Sequence, residues 1–301
     1  MKMLKVPAVI CIVAILLISL YSAFAINRVI VSNEPPTVMF TLGATYRDVT
    51  YGNSQTMDIY IPSVAVTRPL PLAIYVHGGG LTSGDKSDIN PVFLNALASA
   101  GYAVASVNYR LAPLYKFPAQ IEDVKSAIRY LRANAQTYGI NGSEIFIFGT
   151  SSGGELAALA ALIGPRSEYD VGSYLNESSS VTAAVDMFGP ANLTSYASYS
   201  DTLRVFGDNQ TSLMIASPSH YVTANAPPIL IIQGVDDTNV PESQSIQLYN
   251  ELTAAGDKTQ LILVQNMGHM FIQVGPEPIN PSLAQIAQDM VSFFEKYREG
   301  G

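Results

Sequence analysis

The chain has 301 residues, enough for one large domain with its own core. It is acidic, with 24 Asp and Glu against 16 Lys and Arg and a formal charge of −8, and no basic run occurs, which excludes nucleic acid as a partner. The only cysteine is Cys11, so the chain beyond the first 25 residues has neither a disulfide nor a thiolate-held metal.

Residues 1–25, MKMLKVPAVICIVAILLISLYSAFA, place Lys2 and Lys5 ahead of an apolar run and end on Ala23-Phe24-Ala25, the small-x-small form of a cleavage site. The run from Val6 to Ile26 is also long enough to span a bilayer. A cleaved signal peptide and a retained anchor, with membrane association through residues 6–26, both remain open. Either one puts the rest of the chain outside the cytoplasm. Removing residues 1–25 takes away two lysines and no acid, leaving a charge of −10. Asn-x-Ser/Thr sequons at Asn141, Asn176, Asn192 and Asn209 are compatible with that location.

Residues 26–44 read as a linker and 45–301 as one domain. TMDIYIP (56–62) alternates apolar and polar residues, the pattern of a half-buried antiparallel strand. LPLAIYVHGG, GYAVASVNYR, SEIFIFG, VTAAVDMFG, PPILIIQG and TQLILVQ are nearly continuous apolar runs, as strands buried on both faces of a parallel sheet require. Helical spacing falls between them, at Ile121, Val124, Ile128 and Leu131 and again at Leu283, Ile286, Met290 and Phe293. ELAALAALIG (155–164) is apolar almost all round and predicts a buried helix. The succession predicts an α/β fold with helices on both faces of a mainly parallel sheet. Residues 191–226 interrupt the rhythm with a polar, Tyr- and Ser-rich stretch too long for an ordinary connection. They read as a small helical insertion, either a lid or a surface excursion without function.

The chemistry concentrates in SEIFIFGTSSGGELAAL, a buried strand, a sharp turn and a buried helix. That is the setting of a nucleophile elbow, which needs tiny residues two before and two after the nucleophile because strand and helix pass close together. Ser151 has Gly149 and Gly153 there. Ser152 would have Thr150 behind it and Thr150 would have Phe148, both too large. A serine hydroxyl needs a base. Of three histidines, His220 lies in the polar insertion and His77 opens HGGG, whereas His269 follows a strand and precedes the last helix. The base in turn needs a carboxylate, and Asp236 and Asp237 both follow the strand ILIIQG. The glycines of YVHGGGLTSGD, with the backbone N–H of Ser152, can form an oxyanion hole. The order Ser, Asp, His is that of α/β-hydrolases.

These stretches resemble the α/β-hydrolase esterases with an HGGG oxyanion motif, the hormone-sensitive-lipase-like and feruloyl- and acetyl-esterase-like branches. The likeness runs from residue 45 to residue 298. In that family the acid stands in Gly-x-x-Asp-x-x-Val-Pro, matched here by Gly234, Asp237, Val240 and Pro241. The resemblance therefore implies Ser151, Asp237 and His269 as catalytic residues and Gly79, Gly80 and Ser152 as oxyanion donors. It implies a serine esterase acting on short acyl esters, small molecules or acetyl or feruloyl esters of carbohydrates, without cofactor or metal. Tyr109, Arg110 and Asp123 are expected to be structural, Asp85 to order the oxyanion loop, and His220 to lie at the surface.

Two positions depart from the family pattern: Leu81, often aromatic, and Glu155, often His. Glu155 stands one helical turn past Ser151, where it could add negative charge near the site or point into solvent. A serine peptidase of the same fold and a non-catalytic hydrolase-fold binding protein are the alternatives. The first usually carries an extra domain for which this chain has no room, and the second usually lacks a member of the triad.

Overall fold

The computed structural model describes residues 42–52, 54–63, 69–165, 168–195, 204–207 and 210–298. The leader and most of the expected linker lie outside the described residues, as does Asn209. Among the described residues the strands are β1 (Leu42–Tyr51), β2 (Gln55–Pro62), β3 (Leu70–Val76), β4 (Ala103–Val107), β5 (Ile140–Thr150), β6 (Ala183–Met187), β7 (Ile229–Gly234) and β8 (Thr259–Val264). They form one sheet in the order β1-β2-β4-β3-β5-β6-β7-β8. β2 pairs antiparallel with β1 and β4, and every other pairing is parallel. The first strand begins at Leu42, three residues ahead of the boundary read from the sequence.

The helices used below are α1 (Pro91–Ser99), α2 (Ala119–Ala133), α3 (Ala135–Tyr138), α4 (Ser152–Ile163), α5 (Gln210–Ala216), α6 (Glu242–Ala255) and α7 (Leu283–Lys296). Successive strand residues point to opposite faces, and the core divides accordingly. Ile145 and Ile147 of β5 pack with α2, α4 and α6 on one face; Phe146 and Phe148 pack with α1 and α7 on the other. Ile121, Val124, Ile128 and Leu131 of α2 are all fully buried, and so are Ile286 and Met290 of α7. Each such side chain contributes about 1.5–3 kcal/mol relative to exposure. Every residue of α4 is buried, as its all-round apolar sequence requires.

Two strands differ from the sequence reading. β2 is not half-buried, because its last six residues are all buried between β1 and β4. Its alternation came from Asp58, which is inside the protein and pairs with Arg47 and, at 2.7 Å, with Lys86. β8 has the apolar composition of a central strand but forms the sheet edge, and Leu263 there is 36% exposed.

The parallel strands present their C-terminal ends to one side, where the elbow lies. At the other end Leu42 stands opposite Pro62, and α7 returns to bring Arg298 against Glu144 and over the ring of Tyr102. The described parts of 191–226 sit on the elbow side and include Leu193–Ser195, α5 and the turn Pro218–Tyr221.

Candidate active site

Thr150 ends β5, Ser152 begins α4, and Ser151 alone makes the turn between them. Its backbone is left-handed, φ 54° and ψ −126°, a conformation that costs a non-glycine residue about 1–3 kcal/mol. The surroundings hold it there. Ser151 N donates to Met187 O at 2.9 Å, and Glu155 N donates to Ser151 O at 3.0 Å. The flanking glycines are required by space. A Cβ at Gly149 would land on the Gly153 carbonyl, and one at Gly153 would overlap Val76 O and lie 2.5 Å from His77 O. Strain recurs in the loops beside the elbow, where Leu81, Phe188, Met270 and Phe271 also have positive φ.

Ser151 Oγ donates to His269 Nε2 at 3.0 Å, and His269 Nδ1 donates to Asp237 Oδ2 at 2.7 Å. The three side chains come from the ends of β5, β8 and β7, 118 and 32 residues apart along the chain. Asp237 is fixed in turn. Its Oδ1 accepts from the N–H groups of Asn239 at 2.8 Å and Val240 at 2.9 Å, and Gln233 Nε2 reaches its Oδ2 at 3.4 Å. Asp237 is buried and Asp236 exposed, so of the two adjacent acids only Asp237 faces the histidine. Phe188 meets the His269 ring edge-on at 5.1 Å, and Phe271 packs behind Phe188 at 4.9 Å.

The HGGG loop lies against this chain of hydrogen bonds. A Cβ at Gly78 would be 3.3 Å from Ser151 Cβ. Gly79 and Gly80 have φ of 113° and 61°, conformations open to glycine. The Gly79 carbonyl is turned into the loop, where it accepts from the N–H groups of Thr82 and Ser83 at 3.1 Å. Ser152 contributes twice. As the first residue of α4 its N–H has no intrahelical acceptor, and its Oγ accepts from Leu81 N at 3.4 Å. His77 is buried and stacked on Tyr109 at 4.2 Å, and burial lowers its pKa. The Tyr109 hydroxyl donates to His77 O at 2.9 Å. Asp85 caps the turn after the glycines through Ser87 N and also bonds Asn108. Arg110 grips Asp123 through Nε at 2.9 Å and Glu122 through Nη2 at 2.9 Å.

Glu155 does neither of the things its sequence position suggested. It does not point into solvent, being 2% exposed, and burial together with the facing Asp186 raises its carboxyl well above the usual range. Burial also pushes Asp186 up to about 7. Sequence reasoning passed over Asp186 and Gln233. Their signal was a polar residue set near the end of an otherwise apolar strand, VTAAVDMFG and PPILIIQG. Among the described residues no three His, Cys, Asp or Glu side chains gather as metal ligands would. His220 is exposed, in the turn 218–221.

An eight-stranded, mostly parallel sheet with a strained serine turn after β5 defines the α/β-hydrolase fold. Within that class the chain belongs to the BD-FAE family, an α/β-hydrolase esterase family, which matches residues 57–252. The match includes the HGGG loop, Ser151 and Asp237 and stops short of His269. The chain is similar to Esterase LipC of Mycobacterium tuberculosis, 30% identical over 255 residues, 80% of this chain and 63% of LipC. Esterase LipQ of the same organism is 32% identical over 226 residues, 70% of this chain and 53% of LipQ. The chain thus spans between 53% and 63% of the length of these two curated relatives. A solved structure described as a truncated form of carbohydrate esterase from gut microbiota matches with a TM-score of 0.76 at 30% identity. That match covers 87% of this chain and 98% of the other.

Proposed function

We propose that this protein is a serine carboxylester hydrolase in which Ser151 is the nucleophile, His269 the base and Asp237 its acid partner. The observation that carries the reading is the unbroken chain Ser151–His269–Asp237, at 3.0 and 2.7 Å, beside three glycines and a helix N-terminus. His269 Nε2 takes the proton as Ser151 Oγ attacks the ester carbonyl. The N–H groups of Gly79, Gly80 and Ser152 hold the oxyanion, each such donor being worth roughly 3 kcal/mol in the transition state. His269 then returns the proton to the departing alcohol. Water, activated by the same imidazole, releases the acid from the acyl-enzyme. Asp237, pinned by two backbone N–H groups, keeps His269 in the tautomer this sequence needs.

For substrate we propose short acyl esters, acetyl or feruloyl groups on carbohydrate among them. The support is the likeness to a structure described as a carbohydrate esterase, 30% identical over 87% of this chain. The leader pattern of residues 1–25 supports an extracytoplasmic enzyme, secreted or anchored. Turnover of p-nitrophenyl acetate by the wild type and by Ser151→Ala tests the chemistry. An inactive wild type, or a fully active Ser151→Ala, overturns it. A panel of acetylated oligosaccharide, feruloyl and longer aliphatic esters tests the substrate class. A preference for long aliphatic chains would refute that part.

A further inference from the structure

Beneath the elbow lies a second polar layer that the reaction above does not use. Glu155, in the first turn of α4, faces Asp186, near the end of β6, and both are fully buried. Asp186 Oδ1 accepts from Gly189 N at 2.8 Å. Among the described residues, Asp186 Oδ2 and Glu155 Oε1 have no hydrogen-bond partner. The packing around them leaves no slack. A Cβ at Gly154 would strike Asp186 Oδ1, and one at Gly189 would strike the same oxygen and come within 2.5 Å of Glu155 N. Asp186 is therefore wedged between the start of α4 and the loop that follows β6.

The Tyr109 hydroxyl bonds His77 O at the head of the oxyanion loop. Ser152 Oγ in turn takes Leu81 N. One polar layer thus joins β6, the first turn of α4 and the oxyanion loop. The charged and titratable groups of the other elements packed on α4 are engaged elsewhere. Asp123 binds Arg110, and Lys125 and Arg129 bind Asp170. Tyr75 bonds Thr150, Tyr221 bonds Tyr169, and Glu144 pairs with Arg298 at the far end of the sheet. No cation among the described residues reaches the two carboxyls. Two buried carboxylates without a cation repel each other and lack solvation, so at least one keeps its proton.

We infer that Glu155 is a positioning residue of the proposed hydrolase: as a neutral acid against Asp186 it fixes the first turn of α4, and with it the Ser152 N–H. Losing that proton sets the alkaline limit of activity. Burial and the facing acid both favour the protonated form of Glu155, and burial pushes Asp186 up to about 7. When both acids have ionised at higher pH, two like charges stand where the glycines permit no separation, and the turn carrying Ser152 must shift. The inference rests on Ser151 acting as the nucleophile.

The test is the pH profile of kcat/KM for p-nitrophenyl acetate, blank-corrected, for the wild type, Glu155→Gln and Asp186→Asn. Circular dichroism at each pH identifies the range in which the protein stays folded. The wild type is expected to lose activity on the alkaline side while still folded. Glu155→Gln cannot ionise, so its limb moves up by at least about one pH unit, an effect of more than 1.36 kcal/mol on the protonated state. Its KM at pH 7 stays within about threefold. Asp186→Asn leaves Glu155 to ionise with no like charge against it, so its limb also moves to higher pH or disappears. Difference infrared spectra of wild type against Glu155→Gln at pH 8 are expected to contain a protonated-carboxyl carbonyl band, which reads the proton without using activity. An unaltered limb in Glu155→Gln, an unaltered or downward-shifted limb in Asp186→Asn, a limb that coincides with unfolding, or the absence of that band overturns the inference. If Glu155→Gln does not fold, the sign of the Asp186→Asn shift decides. A wild type that hydrolyses no ester overturns the functional reading as well, whereas an active wild type with an unaltered Glu155→Gln limb overturns only this inference.

Discussion

Replacing Asp186 by Asn is expected to stabilise the protein at pH 8 relative to pH 5. Asp186 is fully buried, and its carboxyl is pushed up from 3.8 to about 7. Below 3.8 both the folded and unfolded chains hold the proton, and ionisation has no effect on stability. Between 3.8 and about 7 the unfolded chain releases it and the folded chain does not. Each pH unit in that window therefore removes about 1.36 kcal/mol of stability, and above about 7 the loss is constant. From pH 5 to pH 8 the wild type crosses roughly two such units, a loss of about 3 kcal/mol that Asn, which does not ionise, escapes. Any fixed offset, such as a change in the bond from Gly189 N, cancels when the two pH values are compared. Urea unfolding of both proteins at both pH values gives the double difference. A gap between variant and wild type that is the same at pH 5 and pH 8, within about 1 kcal/mol, would refute the reasoning.

Three further outcomes follow from the geometry. Asp237→Asn reverses the bond that fixes His269, so kcat is expected to fall by about 10⁴-fold with little change in KM; a loss under about tenfold would remove Asp237 from the mechanism. Gln233→Leu deletes the donor that reaches Asp237, Val240 O and Gly234 O, and about a tenfold fall in kcat is expected, one net hydrogen bond's worth. Steady-state kinetics with kcat unchanged would show that the two backbone donors suffice. Gly153→Ala drives a methyl into the carbonyls of Val76 and His77 and is expected to cost at least about 2 kcal/mol and most activity. A melting temperature within about 2 °C of wild type would contradict it.

What could be read in the sequence was what leaves a local trace. Glycines two residues either side of Ser151 are demanded by a strand and helix that nearly touch, so the spacing carried the elbow. Apolar runs carried six of the strands, and the 3.6-residue period carried α2 and α7. Where the reading differed, a long-range partner had changed the meaning of a residue. Asp58 looked like the wet face of a strand because a carboxylate normally seeks water, yet Arg47 and Lys86 hold it inside. β8 looked central because composition reports apolarity and not which strand comes last in the sheet. Glu155 was opaque for the same reason: its meaning depends on Asp186, 31 positions away and on another element. The choice between Asp236 and Asp237 needed a family pattern, and the structure separates them by burial and by the bond from His269 to Asp237.

The antiparallel start of the sheet has a practical consequence. Because β1 runs alongside β2 in reverse, Leu42 enters level with the N-terminal ends of the parallel strands, and Arg298 leaves beside Glu144 and Tyr102 at that same end. At ~3.3 Å per residue, the five residues of β4 alone separate that end from the serine turn by roughly 16 Å. The two described ends of the domain, Leu42 and Arg298, therefore both lie at the end of the sheet away from Ser151. A label placed at Arg298 is expected to leave p-nitrophenyl acetate turnover unchanged.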